Sequence, residues 1–161
     1  MVSPVATGGL RMSRHAFNGA KLALLCAEQI LVYQRDAKPD IPWPALWDLP
    51  GGGREDDETP ERCALRELEE EFGLVLDEAR LTWGRCYPPR QPGYLPSWLF
   101  AGQLHPAEIA AIRFGDEGQH WQLMSIVDFL AHPQAVPHLQ ARLRDYLGER
   151  EESGPASLNP G

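Results

Sequence analysis

No stretch of this 161-residue chain approaches the run of about 18 apolar residues that a membrane-spanning helix needs. The first 15 residues also lack the apolar core of a secretory signal. Cysteine is scarce: Cys26, Cys63 and Cys86 are odd in number, widely spaced and form no C-x-x-C pair. That argues against a disulfide framework and fits a reducing compartment with buried or idle thiols. His15, His105, His120, His132 and His138 show no metal-ligand spacing. Basic residues form no stripe that could track a nucleic-acid backbone, so duplex and single-strand binding are not expected. The glycines at 51–53 lack the Lys-Ser/Thr of a phosphate-cradling loop and read as a tight turn where backbone approaches a ligand closely. These absences together predict a soluble, cytoplasmic protein that binds neither membrane nor nucleic acid.

What the chain does have is acid, concentrated in one place. Asp and Glu number 23 against 15 Lys and Arg, for a formal charge of −8. The 23 residues from Gly52 to Leu74 hold nine acids and three arginines, so −6 of the −8 lies there. The acidity therefore describes a site more than a surface. Thr59 is a good N-cap, Pro60 suits the first helical position and Gly73 suits a left-handed residue just past a helix end, which predicts a helix over 60–72. At about 100° per residue Ala64, Leu65, Leu68 and Phe72 share one arc that must face a core. Glu67, Glu70 and Glu71 share an adjoining arc, and with Glu69 they crowd the C-terminal half of the helix. There the macrodipole disfavours anions by roughly 0.3 to 1 kcal/mol each, and like charges at i, i+4 add a few tenths. Arg66 can neutralise one of four, so something cationic belongs beside them. Carboxylates without thiols or paired histidines select hard ions, Mg²⁺ or Mn²⁺, and such an ion keeps open positions for substrate phosphates.

Gly52, Glu58, Arg66, Glu67, Leu68, Glu70, Glu71, Gly73 and Leu74 stand in the pattern G-x5-E-x7-R-E-U-x-E-E-x-G-U, where U is bulky aliphatic. With nine constraints, a chance match is on the order of one in a million. In this run, and in the Trp47-Asp-Leu-Pro-Gly-Gly that leads into it, the chain resembles the Nudix hydrolases. The resemblance implies an α/β/α sandwich with a mixed β-sheet between helices, and hydrolysis of a diphosphate linkage in a nucleoside diphosphate derivative. It implies Mg²⁺ or Mn²⁺ as cofactor. The catalytic residues would be Glu67, Arg66 and Glu70, with Glu67 either a metal ligand or the base that activates water, and Arg66 orienting the carboxylates. The metal ligands would be Glu67, Glu70, Glu71, the carbonyl of Gly51 and, from a loop well downstream, Glu117. Substrate-side residues would be Arg35, Glu58 and Gly52. A plain surface arginine is the other reading of Arg35, and a favourable acid near a helix N-terminus the other reading of Glu58.

Elsewhere, apolar runs over 21–26 and 30–34 predict a hairpin, and 47–49 a short strand. Residues 81–87 and 97–103 read as strands around a proline-rich loop, and 120–124 as another. Ser125 caps a short helix, and Pro137 opens a final one carrying Leu139, Leu143 and Leu147 at i, i+4, i+8. The expected organisation is a flexible leader over 1–14, with Met12 an alternative start, one domain over 15–148, and a disordered tail over 149–161 with nothing to bury. There is no internal repeat.

The partner implied is a small nucleotide, with a homodimer as an option. The diphosphate signature leaves the linked group open. A nucleoside triphosphate or oxidised nucleotide is the first reading, and ADP-ribose or another nucleoside diphosphate sugar the second. Pro89, sixteen residues past Gly73, matches a proline of the ADP-ribose branch, but Pro88 and Pro92 crowd the same loop. Trp43, Trp83, Tyr94, Trp98 and Trp121 are either base-stacking platforms or packing residues. A non-catalytic ligand-binding regulator is the third reading. The helical register separates two neighbouring glutamates: Glu71 points toward a cleft beside the core stripe, whereas Glu69 faces solvent. Glu71→Gln is expected to lower the hydrolytic rate at least about 100-fold, as for loss of a group stabilising transition-state charge. Glu69→Gln should stay within about threefold of wild type. Steady-state rates of the two folded variants check the register, and the reverse order would refute it.

Overall fold

A computed structural model describes residues 16–158. The expected leader over 1–14 and the alternative start at Met12 lie outside the described residues. Strands β1 (Gly19–Cys26) and β2 (Gln29–Gln34) form the predicted hairpin, closed by the pairs Leu25 with Ile30 and Cys26 with Gln29. The hairpin then opens as a fork. Into the opening runs the segment carrying β3 (Trp47–Asp48) and β4 (Gly51–Gly53): Tyr33 and Gln34 pair with β3, while Gly19 to Lys21 pair with β4. The three glycines are thus a strand rather than only a tight turn. Glycine is needed because the backbone of β1 lies against it: at Gly51, with φ of 130°, a Cβ would sit 2.2 Å from the Ala20 carbonyl oxygen.

The sheet is completed by β5 (Leu81–Tyr87), β6 (Ser97–Gln103) and β7 (His120–Ser125). The order is β3-β2-β1-β6-β5, with β7 on the outer edge of β2. Only the β1–β6 pairing is parallel among those described, so the sheet is mixed. Strand alternation sends β1 side chains to two cores. Leu22 and Leu24 meet Ala64, Leu68 and Phe72 of helix α1 (Pro60–Phe72). Ala23 and Leu25 join the layer formed by α3 (Ile126–Ala131) and α4 (Pro137–Leu158), through Phe129, Leu139 and Leu143. Helices on both faces make the α/β/α sandwich.

Helix α1 has the predicted ends. Thr59 Oγ1 accepts from the Arg62 N–H at 3.2 Å, and Gly73 adopts the left-handed conformation at φ 68°. Two elements differ from the sequence reading. A short α2 (Pro106–Ala110), not expected, is capped by Glu108, which reaches back to the His105 N–H and pairs with Arg80. Helix α4 continues past Gly148 to Leu158, where a disordered tail was expected. Its continuation has partners: Glu149 accepts from Trp83 Nε1 at 3.0 Å and forms an ion pair with Arg85, and Arg150 lies over the Tyr146 ring. No helix among the described residues is long and apolar enough to cross a membrane.

Leu68 is fully buried between α1 and the sheet, whereas Val75, just past the helix, is 76% exposed. Leu68→Ala should therefore cost about 2–5 kcal/mol in urea unfolding, and Val75→Ala within about 0.5 kcal/mol.

Candidate active site

Burial of Leu68 and Phe72 fixes the rotation of α1, and that rotation turns Glu67 and Glu71 toward β4. Glu71 is 95% buried by its 5% exposure, and its Oε1 accepts the Gly51 N–H at 3.0 Å. Glu67 lies against Gly52: a Cβ there would come within 2.5 Å of the Glu67 carboxyl carbon and displace the carboxylate from its place. Glu69 is exposed, as its register predicts.

Glu117 arrives from the loop before β7, and backbone hydrogen bonds place it. The Gly115 N–H donates to the Glu71 carbonyl at 2.8 Å and the Arg113 N–H to the Phe72 carbonyl at 2.9 Å. These satisfy carbonyls that the end of α1 leaves unpaired. The Gln119 N–H donates to the Gln34 carbonyl at 2.8 Å, tying the other end of the loop to β2. Carboxylate oxygens of Glu67, Glu71 and Glu117 then lie within 4.8 Å of one another.

Arg66 organises the remaining acids. Its Nε and Nη2 hold both oxygens of Glu58, Nη1 reaches Glu67 at 3.0 Å and Glu70 at 3.2 Å, and Nη2 also donates to the Gly53 carbonyl at 2.9 Å. Glu58 is thus the bidentate anchor of Arg66, which holds its carboxyl below the usual range. Glu70 does not join the cluster of three: it is 57% exposed and turned toward Arg66. The Gly51 carbonyl is likewise occupied, accepting from Lys21 Nζ at 3.1 Å, while its N–H serves Glu71. Arg35 is no plain surface arginine. It donates to Asp48 at 2.8 Å and to the Pro42 carbonyl at 2.9 Å.

The sequence reading missed the group beneath this site. Asp48, 2% exposed, binds Lys21 Nζ at 3.1 Å, Arg35 Nη1 and the Tyr33 hydroxyl. Burial works against both charges of the Lys21–Asp48 pair. Their mutual attraction outweighs it, holding Asp48 below and Lys21 above their ordinary values. The available signal was a lysine inside the apolar run over 19–26.

Beside the carboxylates, and sharing the β4 wall at Gly52 and Gly53, opens a cleft of about 510 Å³. That size suits a nucleotide-sized ligand. Trp43, Tyr94 and Trp98 line it, whereas Trp83 packs on Tyr146 and Trp121 on the α1-side core.

The carboxylate cluster fits a hard divalent cation on its own chemistry. Burial pushes the Glu71 carboxyl up to about 8, with Glu67 and Asp48 adding repulsion, although Lys21 and the Gly51 N–H act the other way. Burial likewise raises Glu67, with Glu70 and Glu117 contributing. Arg66 at Glu67 and Lys21 near Glu71 do not offset this cost, and an all-oxygen ligand set of three acids suits a further positive partner. The sign for stability follows: folded Glu71 keeps a proton that the unfolded chain releases near pH 4.5, so its contribution is full below that pH and lost as pH rises through about 8. In chelator, Glu71→Gln should gain stability relative to wild type as pH goes from 5.5 to 8.5. Urea unfolding across that range measures it, and a flat difference would place an ionised Glu71 in the metal-free protein.

Comparisons with known proteins find similar sequences and a similar fold. A 63-residue stretch covering 38% of the chain is 40% identical to an 8-oxo-dGTP diphosphatase of Proteus vulgaris, over 54% of that protein. An alignment of 88 residues covering 45% of the chain is 34% identical to an RNA pyrophosphohydrolase of Tolumonas auensis, over 50% of it. The chain thus spans about half the length of the relatives it matches. A bifunctional NMN adenylyltransferase/ADP ribose pyrophosphatase of Francisella tularensis, solved with AMP and a Mn ion, superposes with a TM-score of 0.64 at 24% identity, covering 90% of this chain and 46% of that one. The family model for the NUDIX domain matches residues 18–146, from the start of β1 to the middle of α4, and the chain belongs to the NUDIX domain family.

Proposed function

We propose that this protein hydrolyses a pyrophosphate linkage in a nucleoside diphosphate derivative with the help of Mg²⁺ or Mn²⁺. A nucleoside triphosphate or oxidised nucleotide is the first substrate class. The observation that carries the reading is the cluster of Glu67, Glu71 and Glu117, which meets a nucleotide-sized cleft across Gly52 of β4. The names of the relatives, diphosphatase and pyrophosphohydrolase, support the same bond class.

In this reading Glu67, Glu71 and Glu117 hold the cation, with Glu70, whose Oε1 accepts from Arg66, and the Gly51 carbonyl, which accepts from Lys21 and keeps a second lone pair, as further ligands. The bound cation would neutralise charge on the phosphate oxygens and lower the pKa of a bound water. Arg66 fixes one oxygen of Glu67 and is itself fixed by Glu58. In the alternative in which Glu67 leaves the cation to its neighbours, its raised basicity suits it to accept a proton from the attacking water. The water oxygen forms a bond to phosphorus, the bridging P–O bond breaks, and the leaving phosphate group departs with the electron pair. Trp43, Tyr94 and Trp98 offer faces for a base.

A panel of nucleoside triphosphates, 8-oxo-nucleotides and ADP-ribose with Mg²⁺, products identified by mass, tests the reading. Cleavage between phosphorus atoms is expected, rising toward alkaline pH and abolished by chelator. Full turnover in excess chelator, or binding without cleavage across the panel, would overturn it. Preference for ADP-ribose would assign the second substrate class.

A further inference from the structure

The far wall of the cleft carries a positive charge that the reaction at the carboxylates does not use. Four cations line the cleft, Lys21, Arg35, Arg90 and Arg142, against one carboxylate, Asp48. Asp48 is already shared by Lys21 and Arg35. Neither of the other two has an ion pair among the described residues, and Asp145 attracts Arg142 only from beyond contact distance. Arg142, on α4, is 7% exposed, yet among the described residues no carboxylate lies within 4 Å of it. Its guanidinium donates to the Ser97 hydroxyl at 2.9 Å and lies over the Tyr87 ring at 4.4 Å. Asp145, three residues along α4, is engaged by the Tyr87 hydroxyl at 2.7 Å and by Arg85 at 3.5 Å.

A buried charge without a counter-charge is costly, and native structures keep one only where something pairs with it. Burial, with Arg90 adding like charge, holds Arg142 below its ordinary value. Arg90 stands over the Trp43 ring at 5.7 Å, and His138, tilted against the same ring, has its Nδ1 buried with no hydrogen-bond partner among the described residues. Two guanidiniums and an unsatisfied imidazole nitrogen therefore converge on one end of the cleft. A neutral base could satisfy the hydrogen bonds but not the charge; a phosphoryl dianion satisfies both.

We propose that Arg142, Arg90 and His138 form an anion subsite that holds a second phosphoryl group of the substrate, remote from the diphosphate that is cut. The substrate class narrows to nucleoside diphosphate derivatives with a further phosphate on the nucleoside side. Calling the anion part of a substrate rests on the hydrolase reading; the subsite itself does not.

Binding in chelator tests the subsite without turnover, so a failed hydrolase reading and a failed subsite give different results. Calorimetric titrations compare adenosine 5′-monophosphate with adenosine 2′,5′- and 3′,5′-bisphosphate. At least one bisphosphate should bind about tenfold or more tightly than the monophosphate, as a charge-assisted bidentate contact provides. In Arg142→Gln the preference should fall to within about twofold, with Arg142→Lys intermediate because a point charge replaces the fork. Arg90→Gln, at an exposed position, carries the same test if Arg142→Gln does not fold. Equal affinity for all three nucleotides would overturn the proposal, as would a preference undiminished in both glutamine variants. Inorganic phosphate binding at Arg142 with no preference among the nucleotides would also overturn it, marking a site for the free ion.

Discussion

The site depends on one buried ammonium. Lys21 sits where the β1–β2 hairpin opens, and its three donors go to Asp48, to the Leu49 carbonyl and to the Gly51 carbonyl. All three acceptors belong to the segment wedged into the fork. Without that cation, Asp48 and two carbonyls would face each other in a region that water barely reaches, and buried polar groups left unpaired are costly. With it, the segment is held between β1 and β2, and the Leu22 N–H adds a further tie to the Pro50 carbonyl at 2.8 Å. The position of β4 then fixes what is built on it. The Gly51 N–H aims at Glu71, and the open side of Gly52 admits Glu67.

Helix α1 carries four glutamates near its C-terminal end, the wrong end for anions. The fold deals with each differently. Glu69 is left in solvent; Glu70 stays largely exposed and leans on Arg66. Glu67 shares Arg66 but is pressed against backbone, and Glu71 is buried with one N–H donor and the distant help of Lys21. Repulsion therefore concentrates on the two acids that Glu117 joins. Arg66 relieves it only in part, at Glu67, because both oxygens of Glu58 also engage its fork. The helix end is also closed by the loop that brings Glu117, so one set of backbone hydrogen bonds both caps α1 and completes the cluster.

The acidic cluster and the cleft share the β4 wall at Gly52, and the cleft lining is cationic although the chain as a whole carries −8. A polyanionic ligand meets focused positive potential in the cleft and carboxylates that accept it only together with a cation, an arrangement that orders its two ends.

The sequence by itself determined the local pieces. Caps at Thr59 and Gly73 and the arc of Ala64, Leu68 and Phe72 gave the bounds and rotation of α1, because helix ends and amphipathic faces are set by residues within a few positions of one another. The strands over 81–87 and 97–103 were legible from apolar runs bounded by prolines and glycines. The separation of Glu71 from Glu69 followed from that rotation. Tertiary structure alone decided what depends on distant partners. Glu70 lies on the same helical arc as Glu67 and Glu71, and only the position of Arg66 turns it away from them. The Gly51 carbonyl accepts from Lys21 because that lysine crosses from another strand, and Asp48 and Arg142 acquire their meaning only when the fold brings Lys21, 27 positions away, and Ser97, 45 positions away, beside them. Helix α4 passes Gly148 because Trp83 and Arg85 engage Glu149, a pairing no local pattern encodes.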